Sequence, residues 1–93
     1  MKADVLIAEA DVKLCLSYQR LFSGSGLRVE TATDGLDCWN KLRASSPDAL
    51  MVDVNLLWGG CDGVLARLRE DSEGEVNTEV FIMGDEPPEI LSF

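Results

Sequence analysis

Hydrophobic residues along this chain fall into short continuous runs that alternate with helical stripes. Asp4-Val-Leu-Ile-Ala8 predicts a first strand. Asp11 then precedes Leu14, Cys15, Tyr18, Leu21 and Phe22, which recur at the three-to-four spacing of one helix face. Asp11 is a fitting N-cap, and Gly24 or Gly26 a fitting stop. Leu27-Arg-Val-Glu-Thr31 alternates as a strand does. The turn Thr33-Asp34-Gly35 opens a second helix with Leu36, Trp39 and Leu42 as its stripe, and Ser45-Ser46-Pro47 ends it. Asp48 to Asn55, DALMVDVN, is a third strand, and Leu56 to Gly63 a loop. A third helix carries Val64, Leu65 and Leu68 and ends near Asp71. Asp71 to Asn77 is a polar loop, Val80-Phe-Ile-Met83 a fourth strand, Gly84 to Pro88 a loop, and Glu89 to Phe93 the start of a helix.

The order is β-α-β-α-β-α-β. Continuous apolar runs in the first, third and fourth strands mark a parallel sheet covered on both faces. Right-handed crossovers then give a doubly wound α/β sandwich. Ligands of such sheets lie beyond the carboxyl ends of the strands, at the switch point. That rule brings Glu9, Asp53, Gly84 and Asp85 to one edge, and makes Glu9 and Asp53 neighbours if the first and third strands are adjacent. Two close carboxylates repel, and a divalent cation relieves the repulsion. Mg²⁺ takes a few carboxylates, a carbonyl and several waters. Asp53, at the end of an apolar strand, is thus expected to face a shallow acidic crevice rather than the core.

At 93 residues the chain makes one domain, 1–93. Its net charge of −9, seventeen acids against eight bases, argues against nucleic acid and against an anionic membrane surface. No apolar run approaches the ~18 residues of a membrane span. The N-terminal apolar patch is too short for a signal peptide, so a cytoplasmic location is expected. Cys15, Cys38 and Cys61 are odd in number and widely spaced, which suits free thiols acting as small packing residues. With no histidine and no Cys-x-x-Cys pair, a structural zinc site is not expected. Gly59-Gly60 lacks the Lys-Ser/Thr of a nucleotide-phosphate loop and is read as a flexible connection. Trp39 is read as packing, and Trp58 as a loop residue beside Asp53 that packs, shields the site or meets a partner.

Several stretches together resemble the receiver domain of bacterial two-component response regulators. VLIAEAD is similar to the family's first strand and acidic cluster, and GLRVETATDGLDCWNKLR to its second strand, turn and second helix. PDALMVDVNL is similar to the phosphoacceptor strand, GCDGVLARLRE to the turn entering the third helix, and TEVFIMGDE to the fourth strand. The resemblance covers essentially the whole chain and implies a flavodoxin-like receiver sandwich. It implies that Asp53 accepts a phosphoryl group from a histidine kinase or phosphotransfer protein. It further implies that Glu9, Asp53 and the Asn55 backbone carbonyl hold Mg²⁺. Such a domain is a signalling switch rather than an enzyme in the ordinary sense.

The departures are specific. Ala10 stands where the family has a second acid, Gly84 where a Ser or Thr reads the phosphoryl group, and Leu57 where proline is common. The fifth strand with its lysine and the fifth helix are absent, and Lys2, Lys13 and Lys41 are not expected to replace that lysine. Weak Mg²⁺ binding and slow phosphorylation follow. Without a fifth strand the fourth becomes an apolar edge, which points to a homodimer through it or to a stretch of exposed apolar surface. The alternative function is a phosphorylation-independent interaction module that keeps the fold without the switch. A third reading, a small flavin-binding domain, lacks a phosphate loop after the first strand.

Overall fold

A computed structural model describes residues 3–56, 60–71, 76–84 and 89–92. The chain runs β1 (Val5–Ala8), α1 (Val12–Gly24), β2 (Val29–Ala32), α2 (Gly35–Ser45), β3 (Ala49–Asp53), α3 (Gly60–Glu70), β4 (Glu79–Met83) and β5 (Glu89–Ser92). The sheet order is β2-β1-β3-β4-β5. The first four strands are parallel, and β5 is antiparallel to β4. This is the expected α/β architecture with a mostly parallel sheet.

Aspartates hold both helix starts, Asp11 as the expected cap and Asp34 from within the turn expected to open the second helix. The Asp11 carboxylate accepts from the Lys13 and Leu14 amides at 3.0 and 3.2 Å, and the Asp34 carboxylate from the Asp37 amide at 2.8 Å. At the other end of α1, Gly26 takes a left-handed φ of 85°, which lets the chain turn back towards β2. Helix α2 ends on Ser46 at φ 43°, just before Pro47, which cannot continue it. Asp4 anchors the start of β2 to β1: its carboxylate accepts from the Arg28 amide at 2.7 Å and pairs with the guanidinium at 3.1 Å.

The chain direction decides where the helices lie. From β1 to β2 it moves one way across the sheet; from β2 to β3 and on to β4 it moves the other way. Right-handed crossovers therefore put α1 on one face and α2 and α3 on the opposite face. The packing agrees. Val5, Ile7 and Cys15 cluster with Tyr18, Phe22 and Val29 under α1. Leu6, Leu50, Val52 and Val80 cluster with Cys38, Leu42, Val64, Leu65 and Leu68 under α2 and α3. Leu6, Leu42 and Leu50 have no exposed surface, and such a side chain contributes roughly 1.5–3 kcal/mol by burial. Trp39 packs against this second cluster, as expected, and the Arg67 guanidinium carbon lies 5.8 Å from its ring centroid.

Three expectations need correction. Residues 89–92 form a strand, not a helix, so the described sheet has a fifth strand and β4 is not an edge. Its antiparallel direction follows from reach: residues 84–88 are the whole connection, and a parallel return would need a crossover of about a dozen residues or more. The argument for a homodimer through the fourth-strand edge falls with it. Second, α3 begins at Gly60, inside the stretch read as a loop, and Cys61 is buried in the core. Third, only β1 is covered along both faces. On β3, Leu50 and Val52 are fully buried, but Ala49, Met51 and Asp53 on the α1 side are only half-buried. The helix stripes are correspondingly narrower than expected, with Leu14, Leu21 and Leu36 largely exposed.

Candidate functional site

Glu9 follows β1 and Asp53 closes β3, and these strands are neighbours in register, with Ala8 opposite Val52. The next residue on each side therefore points to the same place at the carboxyl edge of the sheet. The Glu9 amide continues the ladder by donating to the Ala32 carbonyl at 3.0 Å, which fixes its position against β2. The Glu9 side chain is buried, with 8% of the residue exposed. One of its oxygens accepts from the Asp11 amide at 3.2 Å. Burial raises the Glu9 carboxyl above the ordinary glutamate value. The Asp11 amide opposes that rise, whereas the nearby Asp53 carboxylate adds to it. The two acids thus meet as expected, one buried and one half-exposed.

Asp53 is held by its own loop. Its carboxylate accepts from the Asn55 amide at 3.1 Å, and its carbonyl accepts from the Leu56 amide at 3.1 Å. The Val54 amide donates to the Met83 carbonyl at 2.8 Å, which pins this loop against the end of β4. Asn55 is exposed and lies two residues beyond Asp53, and its amide reaches back to the Asp53 carboxylate. A hard cation such as Mg²⁺ matches this donor set of two carboxylates and a carbonyl. A cation would also offset the repulsion felt by the buried Glu9. Among the described residues, no third His, Cys, Asp or Glu completes a cluster. Ala10 is exposed at the position of the missing acid, and the Asp11 carboxylate is occupied in capping α1.

Gly84 lies at the same edge. A Cβ there would come within 2.9 Å of the Val54 Cγ1, so a Ser or Thr at this position meets a wall. Residue-by-residue reading did not single out Val54. Its signal was present in the register: Asp53 pairs with Met83, so residues 54 and 84 are the next to meet. Lys41 is engaged away from Glu9 and Asp53. Its ammonium donates to the Thr31 carbonyl and pairs with Asp37 at 3.3 Å. Leu57, Trp58, Gly59, Asp85 and Glu86 fall outside the described residues, as does Lys2.

The cysteines fit their packing role. All three are buried. Burial, with Asp37 nearby, pushes the Cys38 thiol up to about 12, and burial with the charge of Glu9 raises Cys15. Both stay protonated at neutral pH and are poor nucleophiles. Among the described residues, no helix is long and apolar enough to cross a membrane. The chain matches no family model and no curated protein.

Proposed function

We propose that this chain is a receiver-type domain whose Asp53 accepts a phosphoryl group from a histidine kinase or phosphotransfer protein in a phosphorelay. The observation that supports it best is the meeting of Glu9 and Asp53 at the carboxyl ends of two adjacent parallel strands. A carboxylate oxygen of Asp53 attacks the phosphorus of a phosphohistidine. The P–N bond breaks, its electron pair returns to the imidazole nitrogen, and that nitrogen takes up a proton. The product is an acyl phosphate on Asp53. Such a transfer depends on positioning and on neutralising the phosphoryl oxygens rather than on elaborate covalent chemistry. Glu9, Asp53 and the Asn55 carbonyl would hold Mg²⁺, which supplies much of that neutralisation when bound. The Asn55 amide orients the Asp53 carboxylate, and Glu9 keeps a cation-seeking charge beside it.

The test is incubation with acetyl phosphate or phosphoramidate and Mg²⁺, followed by intact mass. One added phosphoryl group is expected, absent from Asp53→Asn. The second reading, an interaction module that works unphosphorylated, is favoured by the contact that Val54 makes at Gly84 and by the lack, among the described residues, of a third carboxylate. Absence of any adduct would select it. The same contact predicts an engineering result. Gly84→Ser alone should not speed labelling, because the new side chain must displace Val54. With Val54→Ala as well, the hydroxyl has room, and the labelling rate should rise about tenfold, the effect of ~1.4 kcal/mol at the transition state. Equal rates in the single and double variants would refute the steric account.

A further inference from the structure

Strand β2 stands at one end of the sheet among the described residues, beside β1. Its register decides which of its backbone groups look outward. Val5 lies opposite Val29 and donates its amide to the Arg28 carbonyl, and the Glu9 amide donates to the Ala32 carbonyl. A parallel ladder alternates. Arg28, Glu30 and Ala32 therefore turn their peptide groups towards β1, and Val29 and Thr31 turn theirs away from it. The outward carbonyl of Thr31 is taken by a side chain: the Lys41 ammonium donates to it.

This contact joins a helix to the rim of the sheet. Helix α2 lies on the face that carries Leu6 and Ala32, and Lys41 reaches from there past the strand to Thr31. Asp37, one turn earlier on α2, holds the same ammonium at 3.3 Å, and the Asp37 amide is itself fixed by the Asp34 cap. The pair with Asp37 alone would need no contact with the strand, and a helix-surface pair of this kind contributes only ~0.3–0.5 kcal/mol. Placing the charge on the Thr31 carbonyl does something else. The outer edge of a strand is a template for another strand, and a lysine laid across it blocks the pairing. Strand β2 is otherwise suited to pair. Val29-Glu-Thr-Ala32 is extended, has β-branched residues at both outward positions, and holds no proline or glycine.

We propose that Lys41 is an autoinhibitory contact: by occupying the Thr31 carbonyl it keeps β2 from accepting a further strand, and without it a second copy of this chain pairs there. Two β2 edges related by a two-fold axis run antiparallel and join their sheets into one. The outward residues allow three registers. Centring on Glu30 would set it against Glu30 of the second copy, a like-charge pair. Centring on Thr31 sets Glu30 against Ala32, and centring on Val29 sets Arg28 against Glu30. Both of these registers use the Thr31 carbonyl, where Lys41 sits. The role is independent of whether Asp53 is phosphorylated.

The test is Lys41→Ala, which removes the ammonium, adds no apolar surface and favours the helix, so circular dichroism should show it folded. Each copy carries −9, so sedimentation velocity is run in about 0.5 M NaCl to screen the repulsion. The parent should be monomeric up to about 0.5 mM, and Lys41→Ala should dimerise with a dissociation constant at least tenfold lower. Amide hydrogen exchange locates the contact. The Val29 and Thr31 amides should exchange at least tenfold more slowly in the variant dimer than in the parent. Three results would overturn the proposal: a folded Lys41→Ala that stays monomeric over this range, a parent that dimerises as tightly as the variant, or a variant dimer in which the Val29 and Thr31 amides exchange as fast as in the parent. Should Lys41→Ala fail to fold, Asp37→Asn loosens the same ammonium from its second holder and should shift the parent towards dimer by about threefold; no shift would overturn the proposal as well.

Discussion

Adding Mg²⁺ at about ten times its dissociation constant should raise the thermal midpoint by about 6–11 °C, and Glu9→Gln should remove most of that gain. A ligand at that excess, bound only to the folded state, stabilises it by ~1.4 kcal/mol. For a domain of this size each kcal/mol moves the midpoint by about 4–8 °C. Glu9 is the appropriate residue to change because its carboxyl is buried against Asp53 and raised above its ordinary value, first by burial. The direction of that shift sets the sign without metal. A carboxyl raised in the folded state binds its proton more tightly there than in the unfolded chain, so stability falls as pH rises through its folded value. Below the ordinary glutamate value the carboxyl is protonated in both states and the penalty vanishes. Glu9→Gln should therefore stabilise the metal-free protein at neutral pH and do little near pH 4. The −9 net charge makes a diffuse ion effect certain to contribute, so the comparison is with NaCl at equal ionic strength. An Mg²⁺ shift of the same size in Glu9→Gln and in the parent would mean that the carboxylate pair is not where the cation acts.

The parts of the fold that were legible are those in which one local signal suffices. Asp11 was readable as a cap because a short acceptor before an apolar stripe has few other uses; Asp34 was read only as part of a turn, yet it too accepts a helix-start amide. The core strands were readable because a run such as Leu50-Met-Val52 has no amphipathic alternative. The pairing of Glu9 with Asp53 needed one topological step, the adjacency of β1 and β3, and doubly wound connections supply it.

Each misreading has its own physical cause. Glu89 to Ser92 contains only two apolar residues, Ile90 and Leu91, and two neighbours carry no periodicity. The pairing with β4 makes these residues a strand, and the shortness of the connection sets its antiparallel direction, a constraint of reach rather than of pattern. Gly60 and Gly63 suggested a loop because glycine is costly within a helix, yet Cys61, Val64 and Leu65 bury enough surface to hold the turn. The half-covered sheet face was hidden for a different reason. Phe81 and Met83 look the same in sequence whether a helix lies over them or not, since a strand's composition reports only that its faces avoid water. Val54 was missed as a site residue because its role is steric and depends on a neighbour from another strand.

Leu91→Asp should cost about 2–3 kcal/mol and lower the thermal midpoint by about 10–20 °C, whereas Ile90→Asp should stay within about 0.5 kcal/mol. The contrast comes from the antiparallel register. Leu91 lies opposite Val80 and packs on the core beneath α2 and α3; Ile90 lies opposite Phe81 on the other face and is 61% exposed. A carboxylate at 91 loses the leucine's burial and sits against a wholly buried valine. At 90 it meets water on most sides. A domain of this length has roughly 5–14 kcal/mol in all, so the first change is a large fraction of the total. Urea denaturation measures both, and the slope should hold constant between variants if each stays two-state. A single helical turn at these positions would place neighbouring side chains only about 100° apart and would blur the difference. Similar losses at 90 and 91 would therefore remove β5 from the sheet. They would return β4 to the edge and revive strand pairing between copies as the way its backbone groups are satisfied.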